Sequence, residues 1–389
     1  MNKNLSSISE SVSVNFADYI RDKDKKDHPI VKLHIGEPDF DIHKNIIIES
    51  IKNLNTEKIS YCNSRGLKSL REQISKKLYN INNISADPEK NILITHGAVH
   101  AVNIAIKAIL NHGDECIIIE PYWLAYQTNV ILSGGIPIIV NSEPDKFDLN
   151  IEKISKQISN KTKLLIINSP NNPSGTVYGK SKLNKLAQLA KENNFFIISD
   201  EVYESIVFDG KKHYSIASNK PYFNNIISVF SFSKQYSMTG WRIGYLSASK
   251  KLIDQILKLS QFSVTCISSI TQKAAITALK DPEVNEYAIH MKSEYERRKD
   301  LILKIVMGTW LEKNIIIPSG TFYVLINISK FKLSSFELSK KIIDLYNVSF
   351  TPGIAFGKNM DHFIRLCFVS SDINIKKGIK ALIDLNNKF

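Results

Sequence analysis

Residues 163–203 read KLLIINSPNNPSGTVYGKSKLNKLAQLAKENNFFIISDEVY. The runs at 163–168 and 195–199 are too uniformly apolar to alternate between a wet and a dry face. Each therefore reads as a strand buried on both sides. Between them, Pro170, Asn171, Asn172, Pro173 and Gly175 mark a loop, and residues 181–193 follow helical spacing. Strand, loop, helix and strand in succession form the repeating unit of a parallel sheet.

The same alternation extends outward. Residues 91–95, 115–119, 136–140, 226–229 and 243–247 are further apolar runs, and an Ala/Ile-rich helical stretch follows Gly97. This predicts an α/β body with a mostly parallel sheet between helices. Beyond about residue 280 the pattern changes. A long charged helix over 285–307 is followed by a strand at 321–326, a helix at 335–346, strands at 348–351 and 363–369, and a last helix. That predicts a smaller α+β unit, joined to the first through the long helix.

Composition limits the alternatives. The chain has 389 residues, 43% hydrophobic and 23% charged, with 16 Gly and 12 Pro, which excludes collagen-like and largely disordered chains. Its formal net charge of +13 raises the question of a nucleic-acid or membrane-surface partner. Only seven of the basic residues are Arg, however: Arg21, Arg65, Arg71, Arg242, Arg297, Arg298 and Arg365. Cys62, Cys116, Cys266 and Cys367 lack metal-ligand spacing and read as reduced thiols. No apolar run approaches the ~20 residues of a membrane span, and residues 1–14 lack the apolar core of a secretory signal. A cytoplasmic protein is expected.

Ligands in open α/β sheets bind beyond the carboxyl ends of the strands. His96-Gly97-Ala98-Val99 opens a helix after the first run. The other strand ends deliver Pro121–Tyr126, Ser169–Gly175, Asp200–Tyr203 and Ser231–Lys234, the last followed by Gly240–Gly244. Together they offer a helix start for an anion, an aromatic plate, an Asn loop, an acid with a phenol, and Ser, Lys and Arg. These parts suit a flat, phosphorylated aromatic cofactor.

Six motifs in register carry a family resemblance: IGEPDF at 35–40, Tyr61 with Gly66 and Leu70-Arg71, 168–175, 199–203, 231–244, and Arg365 in FIRLCF. The chain resembles the pyridoxal-phosphate-dependent aminotransferases of class I/II, the aspartate aminotransferase superfamily of fold type I. The resemblance implies a large domain over 46–284 with a seven-stranded sheet. It also implies a small domain from 1–45 and 285–389.

It further implies roles. Lys234 is expected to form the Schiff base and then to move the Cα proton. Asp200 pairs with the pyridinium nitrogen, and Tyr203 and Asn172 with the ring's phenolic oxygen. Trp123 stacks on the ring, with Tyr126 in reserve. Ser231, Ser233, Arg242 and the backbone of Gly97, Ala98 and Val99 hold the phosphate. Tyr61 reaches the phosphate from a neighbouring subunit, so a homodimer is expected. Arg365 binds the substrate α-carboxylate as a planar fork, helped by the Gly36 N–H, with Trp123 and Asn172 beside the substrate. No metal is expected.

The expected partners are an L-amino acid, aspartate or aromatic/aliphatic, and a 2-oxo acid. Some relatives carry a basic residue where this chain has Val99, which weakens a dicarboxylate preference, although Ser9 or Ser11 could still meet a second carboxylate. The rival classes are a pyridoxal-phosphate lyase or decarboxylase on the same fold, a cofactor-binding transcriptional regulator, and a basic nucleic-acid binder. The regulator needs a further DNA-binding domain, and no motif uses the charge for nucleic acid. Abundant Lys with scarce Arg reads as compositional drift and a solvated coat. Neither a nucleic-acid nor a membrane partner is expected.

Overall fold

A computed structural model of the chain describes residue 8 and residues 12–25, 28–56, 59–144, 146–386 and 388. Ser9 and Ser11 lie outside the described residues. The strands are β1 (Val31–Lys32), β2 (Ile92–Thr95), β3 (Glu115–Glu120), β4 (Ile136–Asn141), β5 (Thr162–Asn168), β6 (Phe196–Asp200), β7 (Ile226–Ser231), β8 (Gly244–Ser247), β9 (Ile315–Ile316), β10 (Tyr323–Asn327), β11 (Val348–Ser349), β12 (Thr351–Pro352) and β13 (Phe363–Cys367). The helices begin with α1 (Val12–Lys23), α2 (Lys44–Thr56), α3 (Lys68–Asn82), α4 (Gly97–Ile109), α5 (Ala125–Leu132) and α6 (Ile151–Lys156). They continue with α7 (Lys180–Glu192), α8 (Lys250–Val264), α9 (Ser269–Lys280), α10 (Pro282–Val306), α11 (Ser335–Tyr346) and α12 (Asp372–Leu385).

The central sheet has seven strands in the order β2-β8-β7-β6-β5-β3-β4. Only β8 runs against its neighbours. Alternate residues of each run enter opposite cores. Ile117, Ile119, Leu165 and Ile167 face one cluster, and Cys116, Ile118, Leu164 and Ile166 face the other. Burial on both faces is why these strands are continuously apolar.

Register decides where the site lies. Asn168 pairs with Asp200 and Asp200 with Val229. Gly244, at the start of the antiparallel β8, pairs with both Ser231 and Thr95 at the ends of β7 and β2. The reversal of β8 therefore brings the segment leading into it to the edge where the parallel strands end.

A separate four-stranded antiparallel sheet, β12-β13-β10-β9, carries Arg365 on β13. β1 pairs in parallel with β11, joining the N-terminal segment to the C-terminal one. The strand expected over 348–351 is two short strands in different sheets. The chain changes sheets at Phe350, whose side chain is fully buried.

The long helix begins at Pro282, three residues before the expected start. Asp281 caps it, accepting from the backbone N–H groups of Glu283 and Val284 at 2.9 and 3.2 Å, and Pro282 fills the first turn, where no N–H is needed. Asp281 also accepts from Asn45 Nδ2 at 3.0 Å, tying α2 to the head of α10. Among the described residues, no helix is long and apolar enough to cross a membrane. Asp281→Ala should lower stability by about 1 kcal/mol. Urea unfolding will show this as a lower midpoint at an unchanged m-value.

Candidate active site

A cavity of about 970 Å³ opens at the carboxyl edge of the central sheet. It takes in Gly36, Ala98, Val99, Trp123, Asn172, Asp200, Tyr203, Ser231, Ser233, Lys234, Arg242 and Arg365. Residues spread over more than 300 positions thus meet in one place. Gly97 does not line the cavity but abuts Arg242. Tyr61 lies elsewhere on its own chain's surface, 88% exposed.

The amino end of α4 is built to receive an anion. No side chain caps its first turn, so its leading N–H groups remain available. Gly97 has φ +73°, and a Cβ there would stand 2.7 Å from Arg242 Nη2. The missing side chain lets the guanidinium lie against the helix start. A Cβ on Gly244 would meet Ala98 N at 3.0 Å, so a second glycine keeps the strand and helix close. Arg242 itself sits in the left-handed region at φ +51°, a conformation that costs a non-glycine residue roughly 1–2 kcal/mol. Its Nη1 donates to Thr239 O at 2.8 Å. Ser231 and Ser233 stand beside it on the cavity wall. Two hydroxyls, a guanidinium and a helix amino end match the charge and donor needs of a phosphate.

Asp200 ends β6 and is 5% exposed. Its Oδ2 accepts from Tyr126 Oη at 2.6 Å, and its Oδ1 from Val202 N at 3.3 Å. Burial pushes the carboxyl up to about 6, against the pull of the Tyr126 hydrogen bond. Tyr126 is thus committed to Asp200. Its ring stands edge-on to Trp123, at 5.5 Å and 89°.

Lys234 Nζ donates to Gly36 O at 2.6 Å. The expected contribution of Gly36 is its N–H, but here its carbonyl is the group engaged. A Cβ at Gly36 would run into the Tyr323 hydroxyl, so any larger residue there would have to displace that ring. Burial pulls the Lys234 ammonium down to about 8. A lysine there passes between charged and neutral forms near physiological pH.

Arg365 is buried among neutral partners. Its Nη1 donates to Asn172 Oδ1 at 2.9 Å, and its Nη2 to His34 O at 2.8 Å and Thr351 Oγ1 at 3.1 Å. Its guanidinium lies over the Tyr323 and Phe356 rings, 4.1 and 4.9 Å from their centroids. Its Nε is buried without a partner. A buried cation with an unused donor and no carboxylate among its hydrogen-bond partners is suited to an incoming anion.

Sequence reasoning missed His34, Thr351 and Tyr323. Tyr323 Oη bonds Tyr203 Oη at 2.9 Å, so it stands between the Asp200–Tyr203 turn and Arg365. The His34 ring is pulled down to about 4 by burial and then by the Arg365 charge, and its Nδ1 meets Ser349 Oγ at 2.7 Å. It is therefore a neutral wall.

The position of Asp200 has a measurable cost. A carboxyl raised in the folded state takes up its proton more readily there than in the unfolded chain. Its contribution to stability therefore falls as pH rises from about 4 through about 6. Moving from the ordinary 3.8 to about 6 corresponds to about 3 kcal/mol. In cofactor-free protein, the stability of Asp200→Asn relative to the parent should rise by about that amount between pH 4 and pH 7. Paired denaturation curves across this range will show a flat difference instead if the carboxyl is not desolvated.

With this geometry in place, the comparisons with known proteins are specific. Residues 28–382 match the family aminotransferase class I and II. The chain is 38% identical to an aspartate aminotransferase of Pyrococcus abyssi over 91% of its length and 90% of the relative's. It is 36% identical to aromatic-amino-acid aminotransferase 2 of Thermococcus litoralis, with the same coverage of both. A solved aspartate aminotransferase mutant from Thermus thermophilus superposes with a TM-score of 0.93 at 31% identity, covering 99% of each chain. A cavity with an uncapped helix start, a buried acid, a desolvated lysine and a carboxylate-free arginine, together with these matches along nearly the whole chain, places it among the pyridoxal-phosphate-dependent class I and II aminotransferases.

Proposed function

We propose that the chain transfers the amino group of L-amino acids with apolar side chains, aromatic above all, to a 2-oxo acid. The observation that carries this is the lining of the one cavity holding Lys234, Asp200 and Arg365. Its wall includes the apolar Ile8, Val12, Phe16 and Leu124, and Phe356 under the Arg365 guanidinium, alongside the polar Gln127, Thr128 and Asn129. The cations on that wall already have tasks. Lys234 and Arg242 face the cofactor, Arg365 takes the α-carboxylate, and His34 is neutral. Val99 supplies an apolar surface at the helix start, and Glu37 lines the cavity with a carboxylate that disfavours a second acid.

In this proposal the cofactor's phosphate is held by Arg242, Ser231, Ser233 and the N–H groups of Gly97, Ala98 and Val99. Trp123 covers the ring face. Asp200 holds a proton on the ring nitrogen. Tyr203 and the Asn172 amide, whose Oδ1 is taken by Arg365, donate toward the ring's phenolic oxygen. Pyridoxal phosphate, when bound, supplies an electron-withdrawing ring that makes the substrate's Cα proton removable. Lys234 removes that proton and returns it one carbon away, a task that suits an amine balanced near pH 8. Gly36 closes the loop side of the pocket. The division into 46–284 and 1–45 with 285–389 puts the cofactor groups on one unit and Arg365 on the other.

A homodimer completes the proposal. Tyr61 is 88% exposed and absent from its own chain's cavity, and Phe262 is 94% exposed. Both suit a second copy, with Tyr61 entering the partner's phosphate site. The cytoplasm is the proposed compartment, supported by four free cysteines.

Single-turnover spectra with a panel of amino acids test the reaction and its preference together. Aromatic and branched donors should convert the bound cofactor to its amine form and release keto acids, with aspartate the slower donor. Release of carbon dioxide or ammonia without the amine form would point to a decarboxylase or lyase. Val99→Lys should raise kcat/KM for aspartate about 10-fold, as a new exposed-edge ion pair would. Arg365→Lys should cost about 10- to 100-fold in kcat/KM for every donor while cofactor affinity is retained, because lysine cannot replace the fork. Equal loss of cofactor would instead assign Arg365 to the cofactor's own binding.

A further inference from the structure

We propose that Tyr126 is the positioning residue for Asp200: its phenol occupies Oδ2, holds the group as an acceptor-only carboxylate, and leaves Oδ1 aimed into the cavity. The inference rests on the reading that Asp200 faces the cofactor's ring nitrogen.

The geometry is specific. Tyr126 is 2% exposed and its Oη lies 2.6 Å from Oδ2, within the range of a charge-assisted O–H···O⁻ bond. The carboxylate's other hydrogen bond, from Val202 N, is long at 3.3 Å. Tyr126 is therefore the strongest donor to a carboxylate that burial would otherwise protonate. The phenol is itself pushed well above its ordinary range, first by burial and then by the Asp200 charge, so it stays a donor at any working pH.

The other charged and titratable groups facing this pair do not replace it. Glu201 sits next in the chain and raises the Asp200 carboxyl further. Its own Oε2 is engaged by His213 Nε2 at 2.7 Å and by Ser215 Oγ. Lys234 favours the charged form only through space, since its Nζ is bonded to Gly36 O. Tyr203 and Tyr178 are nearby phenols, but the Tyr203 hydroxyl is paired with that of Tyr323. Tyr126 is itself fixed, with its backbone N–H on Trp123 O at 2.9 Å and its ring edge-on to the indole. The segment from Trp123 to Tyr126 thus holds an aromatic plate and the prop beneath the acid in one turn.

The chemical consequence has a definite sign. Without the phenol's hydrogen bond the Asp200 carboxyl rises further, becomes neutral near pH 7, and can no longer keep a proton on a pyridine nitrogen. Tyr126→Phe preserves ring volume and removes only the hydroxyl. In the holoenzyme it should lower kcat about 10- to 100-fold, the range of one hydrogen bond to a charged group, with KM for the amino acid changed little. In an Asp200→Asn background the same substitution should have almost no effect.

Difference infrared spectra of cofactor-free protein provide the readout independent of activity. The protonated-carboxyl band assigned by Asp200→Asn should persist to higher pH in Tyr126→Phe than in the parent. If that band titrates at the same pH in both, or if Tyr126→Phe lowers kcat equally with and without Asp200, the proposal fails. If Asp200→Asn itself leaves kcat intact, the underlying assignment of Asp200 fails instead.

Discussion

A carboxylate buried at the end of the central strand β6 is the constraint on which the site depends. Asp200 lies in the middle of a seven-stranded sheet with an apolar cluster on each face. An ionised acid there is unfavourable without strong donors, and the protein provides Tyr126 beneath it and the Lys234 charge nearby. The strand order then follows a functional logic. β5 and β7 flank β6; β5 ends in register with it, Asn168 opposite Asp200, and β7 runs two residues past Asp200's partner Val229 to Ser231, so all three ends open onto one edge. Reversal of β8 brings Arg242 to the same edge from the opposite chain direction.

The second anchoring group comes from another sheet. Arg365 lies on β13, yet its fork bonds Asn172 from the loop after β5, as well as His34 and Thr351. A substrate carboxylate held there would be tied at once to the cofactor loop and to the N-terminal segment. Tyr323 reinforces the link through its hydroxyl on Tyr203 and its ring under the guanidinium. The groups proposed to hold the ring and the substrate are joined by neutral hydrogen bonds.

Features set by local chemistry were legible in the sequence. Helix α11 spans the expected 335–346 because Ser334 and Glu337 form a capping box and Asn347 takes the left-handed cap. The doubly buried strands were legible because no exposed face interrupts their apolar runs. Contacts between distant segments were not. Tyr126 meets Asp200 across 74 positions, Tyr203 meets Tyr323 across 120, and Arg365 meets His34 across 331. Nothing in the local spacing of Trp123 and Tyr126 shows which of the two hydrogen-bonds a buried acid. The start of α10 was legible in principle, since Asp281-Pro282 is a cap followed by a first-turn proline, but the charged run beyond it drew the boundary three residues late.

The +13 charge, which first suggested a polyanion partner, is better understood through what each buried cation pairs with. Arg71 bonds Glu89, Arg298 bonds Asp39 and Glu294, Lys77 pairs with Glu204, and Lys299 pairs with Asp209 and Asp300. These cations are neutralised within the fold. Lys234 bonds a carbonyl, Arg242 bonds a carbonyl, and Arg365 bonds an amide oxygen, a carbonyl and a hydroxyl. None of the three is hydrogen-bonded to a carboxylate, and all three line one cavity, where Asp200 and Glu37 act on Lys234 only through space. In the proposed function, Arg242 would meet the cofactor's phosphate, Arg365 the substrate carboxylate, and Lys234 the cofactor's aldehyde.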